Sequence, residues 1–204
     1  KRQVVCNGDE VAEIEFTTTS ENDIAYSWSI DTEIGTASLT GVGNIPLFEA
    51  DNDTNDPIVA TVTVTPSNDE TDPSLTCEGS SIEFTITVNP TAQVDPVDSL
   101  DLCNGDTAVV DFTTSNGGVD SVTTYSWEIT GGDSVFVGGA LTGAGNINLP
   151  VSNDTNADLV ATVTVTPTYT NDGVDCTGPS EEFTITVSPT AQVEQVEDLS
   201  LIHI

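Results

Sequence analysis

Positive charge is almost missing from this sequence. Of 204 residues only Lys1 and Arg2 are basic, against 34 Asp and Glu, and the formal net charge is −32. Nucleic-acid binding needs Lys and Arg to neutralise phosphates, and an anionic membrane surface would repel such a chain, so both are excluded as partners. Long apolar runs are missing too. None approaches the roughly 20 residues that cross a bilayer, no signal peptide opens the chain, and direct membrane insertion is not expected. Histidine is confined to His203, which leaves no imidazole base for a Ser or Cys nucleophile, and no Gly-rich loop opens a helix to hold phosphate. Carboxylate pairs are inevitable among 34 acids, but a glycosidase pair needs a cleft with one acid buried, for which a small repeat has little room. The expectation is a chain that is not an enzyme. Methionine is absent altogether, and the opening Lys1-Arg2-Gln3 reads as a fragment of a longer polypeptide, so that an export signal or anchor could lie outside it. Aromatic residues make up 5% and hydrophobic residues 36%, a composition that would suit disorder if it came without periodicity.

Periodicity is present at two levels. Val5-Cys6-Asn7-Gly8-Asp9 returns as Leu102-Cys103-Asn104-Gly105-Asp106, and Tyr26-Ser27-Trp28 as Tyr125-Ser126-Trp127. Gly41-Val42-Gly43-Asn44-Ile45 returns as Gly143-Ala144-Gly145-Asn146-Ile147. Ala60 to Pro66 returns as Ala161 to Pro167, Glu83 to Val88 as Glu182 to Val187, and Pro90 to Val94 as Pro189 to Val193. The order is constant and the offset stays between 97 and 102 residues. Two homologous domains follow, at 1–96 and 97–198, with 199–204 left over.

Within each copy the period is two. Val62 and Val64 alternate with Thr61, Thr63 and Thr65; Phe84, Ile86 and Val88 alternate with Thr85 and Thr87. β-Branched residues fill these runs and Gly, Pro, Asn and Asp fill the gaps, which is strand chemistry bounded by turn chemistry. The pattern predicts about seven strands in the first copy, around 3–6, 10–18, 24–31, 37–40, 45–50, 57–66 and 81–89. The fold class is therefore all-β, two tandem seven-stranded immunoglobulin-like sandwiches, each with its single Trp (Trp28, Trp127) on the third strand. The expected core of the first is Ile14, Phe16, Trp28, Val62, Val64, Phe84, Ile86 and Val88. The Pro-stiffened linker Val94-Asp95-Pro96-Val97-Asp98-Ser99 predicts a semi-rigid rod.

Each copy carries two cysteines. A matched pair per repeat predicts one disulfide per domain, Cys6–Cys77 and Cys103–Cys176, in an oxidising extracellular compartment, with a Cys77–Cys103 bridge between domains as the alternative. Zinc is disfavoured because neither copy offers His or a second close Cys.

Oxygen-rich loops recur at 51–56 and 153–158. Hard cations such as calcium prefer such ligands, and the candidates are Asp51, Asp53, Asn55 and Asp56 in the first copy and Asp154 and Asp158 in the second. Asp95, Asp98 and Asp101 form a further candidate set at the junction. The first loop opens like an EF-hand but has Asp56 and Val62 where that motif needs Gly and Glu. The same loops read equally well as turns on an acidic surface, and the fold requires no cofactor. Asn52-Asp53-Thr54 and Asn153-Asp154-Thr155 match the N-glycosylation pattern. Ranks of Thr on an outer face would suit an ice-binding surface or simply exposed strands. Phe48, Phe136 and Tyr169 are the candidate aromatic platforms for sugar.

Together, Cys-Asn-Gly-Asp, Tyr-Ser-Trp, Gly-x-Gly-Asn-Ile, Ala-Thr-Val-Thr-Val-Thr-Pro, a Cys followed by Gly, and Glu-Phe-Thr-Ile-Thr-Val resemble the PKD-like repeats of large Bacteroidetes surface proteins, some of them gliding-type adhesins exported by the type IX system. The resemblance spans both copies to about Asp198, although Trp28 and Trp127 lack the Asp-Phe-Gly-Asp-Gly that follows Trp in the stricter PKD signature. It implies a cell-surface or secreted location and a role as stalk or adhesive module. Its expected partners are neighbouring repeats of the parent chain, surface polysaccharide and other cells. The alternative reading is a ligand-binding module: a calcium-stiffened extender, or a carbohydrate-binding domain beside a secreted enzyme. Residues 199–204, Leu-Ser-Leu-Ile-His-Ile, match a translated sequencing adapter and suggest a non-native tail on an environmental sequence fragment.

Overall fold

A computed structural model describes residues 2–19, 24–36, 38–68 and 77–193. The expected tail at 199–204 lies outside them. Every regular element among them is a strand. No helix of the described residues is long and apolar enough to cross a membrane.

The first repeat contributes β1 (Arg2–Cys6), β2 (Glu10–Val11), β3 (Ile24–Ile30), β4 (Thr40–Val42), β5 (Phe48–Glu49), β6 (Ile58–Asn68) and β7 (Ile82–Asn89). One sheet runs β1-β7-β6-β3-β4 and the other pairs β2 with β5. β1 lies parallel to β7, with Val5 opposite Val88 and Cys6 opposite Asn89. β6 is antiparallel to β3 and to β7, with Val62 between Ile30 and Phe84.

Alternation drives this arrangement. Along β6, Ala60, Val62 and Val64 are buried while Thr61, Thr63 and Thr65 lie half-buried on the other face, as a period of two requires. Trp28, Val62, Val64, Ile86 and Val88 are in the core as expected, with Ile14, Phe16 and Phe84 packed half-buried against it. Val11, Ile30, Ile34, Ile45, Phe48, Ala50 and Ala60 complete it. The strand expected over 10–18 is shorter than its alternation implies. Beyond Val11 its pairing reduces to the isolated bridge between Ile14 and Ile45, and Phe16 N–H donates instead to the Asn44 side chain at 3.2 Å.

The second repeat contributes β8 (Leu100–Cys103), β9 (Thr107–Val110), β10 (Val122–Gly132), β11 (Thr142–Ala144), β12 (Ile147–Pro150), β13 (Leu159–Asn171), β14 (Val174–Thr177) and β15 (Glu181–Ser188). Its larger sheet runs β11-β10-β13-β15-β8, with β14 paired to β13, and β12 pairs β9. The same first-to-last parallel pairing recurs, Leu102 opposite Val187 and Cys103 opposite Ser188. β14 makes eight strands where seven were expected. It forms a hairpin with β13 in which Tyr169 faces Cys176.

The chain clusters into two compact units whose borders cut across the repeats. One comprises Lys1–Pro96, Phe112–Ser126 and Val165–Glu181, the other Val97–Asp111, Trp127–Thr164 and Glu182–Ile204. Segments of the second repeat therefore belong to the same unit as the whole of the first.

Candidate functional site

The motifs that define the repeat are structural latches. In Cys6-Asn7-Gly8-Asp9 the chain turns at Gly8, whose φ of 82° lies in the left-handed region where Gly carries no steric penalty. The turn lets Asp9 Oδ2 accept the Cys6 N–H at 3.0 Å, while Asn7 Oδ1 accepts the Asn52 N–H at 2.8 Å. The second copy repeats both contacts, Cys103 N–H to Asp106 Oδ2 at 2.8 Å and Asn153 N–H to Asn104 Oδ1 at 2.8 Å.

Asn52 and Asn153 are each 2% exposed. Asn52 Nδ2 donates to the carbonyls of Asp56 and Val88, and Asn52 Oδ1 accepts from the N–H and hydroxyl of Thr54. Asn153 makes the matching set with Ala157, Val187 and Thr155. The Asn-x-Thr pattern thus closes a loop onto the last strand. In the folded chain its amide nitrogen is committed, so neither sequon presents an acceptor for glycan.

The calcium candidates are not brought together as a site. Asp51, Asp53, Asn55, Asp56, Asp154 and Asp158 are exposed around their buried asparagines, and Asp98 and Asp101 are exposed as well. Asp95 Oδ2 accepts the Thr113 hydroxyl at 2.6 Å. Among the described residues no three acids, cysteines or histidines converge as a metal site would require. Asn55 instead docks a neighbouring loop: its carbonyl accepts the Gly117 N–H at 2.9 Å and its side chain accepts from Gln93 Nε2 at 3.2 Å.

The aromatic candidates for sugar contact are buried. Phe48 is 7% exposed, Phe136 3% and Tyr169 1%, so none offers the open ring face that a sugar platform needs. Phe48 belongs to the first core, and Phe136 stacks edge-on against Trp127 with ring centroids 5.6 Å apart. Thr87, expected on an exposed rank, is 1% exposed.

The cysteines pair differently from the expectation. Cys6 bonds to Cys176, across 170 residues of sequence, with Cα atoms 5.5 Å apart. This replaces both expected bridges, Cys6–Cys77 and Cys103–Cys176, and Cys103 forms no disulfide, which removes the Cys77–Cys103 alternative as well. The reason lies in strand direction. Cys6 sits opposite Asn89, where β7 ends and near Ile58, where β6 begins. The Cys77 carbonyl accepts from the N–H of Asn68, at the other end of β6. Ten residues of extended strand separate the two levels by about 33 Å, whereas a disulfide needs Cα atoms within about 7 Å.

Around the bond, one unit gathers a small joint. Tyr169, Cys176 and Ala92 form a buried cluster with Cys6 and Val174 packed on it. Tyr169 Oη donates to the Gly117 carbonyl at 2.8 Å; burial, and secondarily the charge of Asp56, push its pKa above the usual tyrosine value. Asn171 Nδ2 donates to Asn89 Oδ1 at 2.8 Å, and Arg2 pairs with Asp172. Asn116 clamps residues 91–93, which lead into the 94–99 linker and act as part of it, accepting the Gln93 N–H at 2.6 Å and donating to the Thr91 carbonyl at 3.1 Å. A Cβ at Gly178 would overlap the Ala92 carbonyl, so the linker runs against a position where only Gly fits. A cleft of about 370 Å³ bordered by Arg2, Asp56, Thr87, Gly118 and Asn171 opens beside this joint.

No family model matches the sequence, and no curated protein matches it. Among solved structures the chain is similar to protocadherin gamma B2 extracellular cadherin domains 3-6, at 15% identity and a TM-score of 0.42, over 94% of this chain and 50% of that one. It is also similar to Drosophila N-cadherin EC1-3, at 11% identity and a TM-score of 0.30, over 93% and 64%. A mutant of the CFA/I adhesin CfaE of enterotoxigenic E. coli matches at 9% identity and a TM-score of 0.32, over 92% and 80%. The chain thus spans about half the length of the protocadherin fragment and under two thirds of the N-cadherin one. Identities this low with TM-scores below 0.5 assign no family and no activity.

Proposed function

We propose that this chain is a non-enzymatic extracellular structural module, a tandem pair of immunoglobulin-like repeats from an adhesive surface protein. The observation that carries this reading is the Cys6–Cys176 disulfide. A bond joining the first strand of one repeat to a hairpin of the next holds consecutive modules together, as a chain under tension needs. It also belongs to an oxidising compartment outside the cytosol. The repeat-defining residues support the same reading, because Cys-Asn-Gly-Asp, Asn-x-Thr and the Ala92 linker are spent on turns, latches and the joint. The burial of Phe48, Phe136 and Tyr169 removes the aromatic argument for carbohydrate binding. The finer assignment, a stalk segment of a Bacteroidetes surface adhesin exported by the type IX system, rests on the ordered motifs.

Single-molecule pulling between the termini tests the mechanical role. The bond closes 170 residues of sequence, a hidden contour length of roughly 600 Å at full extension. The expected result is that this length is released only in the presence of a reductant. Equal total extension with and without reductant would overturn the reading.

A further inference from the structure

Cys103 occupies in the second repeat the position that Cys6 holds in the first. Each ends the first strand of its repeat and lies opposite the last residue of the final strand, Asn89 for Cys6 and Ser188 for Cys103. Each donates its N–H to the Asp three residues on. The following Asn N–H donates to the Asn89 carbonyl in one copy and the Ser188 carbonyl in the other, both at 2.9 Å. The Asn side chains then reach Thr91 at 2.9 Å and Thr190 at 3.0 Å. The two frames are equivalent, yet only Cys6 carries a disulfide, and Cys103 is exposed.

A second feature, independent of sulfur, points the same way. In the first copy the linker residue Ala92 is 0% exposed, covered by Tyr169 and Cys176 of the β13–β14 hairpin. Its counterpart Ala191 is exposed, and Val193, the counterpart of Val94, is 92% exposed. The surface that receives a hairpin in one copy is uncovered in the other.

We propose that Cys103 is a bonding site for the hairpin cysteine of a further copy of this module, placed after the second repeat. The disulfides then form a series: the first-strand cysteine of each module bonds the hairpin cysteine of the module that follows. The oxidant is a low-molecular-weight disulfide such as oxidised glutathione. The Cys103 thiolate attacks it and expels one glutathione thiolate; the hairpin thiolate then attacks the Cys103 sulfur of the mixed disulfide and expels the second. Two thiols are oxidised to one disulfide while one glutathione disulfide is reduced to two thiols. The inference rests on the observed joint and not on what the parent protein adheres to.

The test extends the chain after Asp198 with a second copy of residues 100–198 in place of 199–204, refolded in a glutathione redox buffer; within the added copy Cys103→Ser leaves a single Cys103 in the chain and Thr177→Ser marks the copied Cys176 peptide by mass. The chain has only Lys1 and Arg2 for trypsin, so the unreduced protein is alkylated, digested with an Asp/Glu-directed protease and mapped by mass spectrometry. The expected result is a peptide pair joining Cys103 to the copied Cys176, with alkylation of Cys103 at least tenfold lower than in the unextended chain. The Cys6–Cys176 pair in the same digest reports that the original joint has formed. Full alkylation of Cys103 beside an intact Cys6–Cys176 pair would overturn the proposal while leaving the joint standing. Absence of both pairs would overturn the joint and the proposal together. A Cys103→Ser version of the extended chain is expected to leave the copied Cys176 alkylated, and protection of that thiol would count against the assignment.

Discussion

At the scale of single residues, the repeat spends its recognisable side chains on burial and hydrogen bonding. Gly41 faces Trp28 across β3 and β4, and a Cβ there would overlap the indole; Gly143 stands in the same relation to Trp127. Asn52 and Asn153 are the sharper case, because each amide answers two carbonyls inside a loop that composition marks as a metal or glycan site. Asn52→Ala removes the donors to both the Asp56 and Val88 carbonyls, which is expected to destabilise the fold by about 2 kcal/mol. Asn52→Asp is expected to cost more, since a carboxylate has no hydrogen to donate and would face two carbonyl oxygens. Urea unfolding midpoints of the two variants check this ordering. An Asp variant as stable as the parent would mean that the loop is held by something other than these bonds.

At the scale of elements, strand existence was legible and strand relations were only partly so. Alternation in Ala60 to Thr65 and Phe84 to Val88 is enough to place β6 and β7; along β6 it separates a buried face from a half-buried one, whereas at the end of β7 Thr87 is buried as well. The loop roles of Asn52 and Asn153 were hidden because Asn, Asp and Thr are at once turn formers, cation ligands and sequon residues. The cysteine pairing was missed although a signal existed. The first and last strands are neighbours, but running parallel they place the end of β1 at the end of β7, far from the residues before β7 where Cys77 lies. Burial of Phe48 was also readable, since Phe48-Glu49-Ala50 alternates apolar, charged, apolar within the strand expected over 45–50. One strand-level contact carries a pH dependence. Asp31 Oδ1 accepts the Thr61 N–H at 2.7 Å beside the end of β3, and that bond holds its carboxyl below the ordinary value of 3.8. A depressed folded pKa means that the contribution is complete above the unfolded pKa and is lost as pH falls through the folded one. The stability gap between the parent and Asp31→Ala is therefore expected to be constant near neutrality and to shrink as pH drops below about 4. Chemical denaturation at pH 7 and pH 3 measures it. A gap that does not change would assign the effect to packing rather than to charge.

At the scale of the whole molecule, electrostatics opposes folding. A net charge of −32 makes the compact state repel itself, and the one ion pair found among the described residues, Arg2 with Asp172, joins side chains 51% and 36% exposed, where such pairs contribute little. Screening is the remedy available to any chain of this kind: the Debye length falls from about 30 Å at 0.01 M salt to about 10 Å at 0.1 M. The thermal midpoint is accordingly expected to rise when sodium chloride is raised over that range. Divalent ions separate general screening from a coordinated site. Because the acids at 51–56, 153–158 and 95–101 do not converge among the described residues, calcium is expected to raise the midpoint no further than magnesium at equal ionic strength, and chelator to add nothing once ionic strength is matched. Melting curves of the unreduced chain under these conditions decide between the two cases. A calcium-specific rise of several degrees would mean that these carboxylates rearrange around the ion on binding, and would make the acidic loops ion-dependent stiffeners in a chain otherwise held by packing and the Cys6–Cys176 bond.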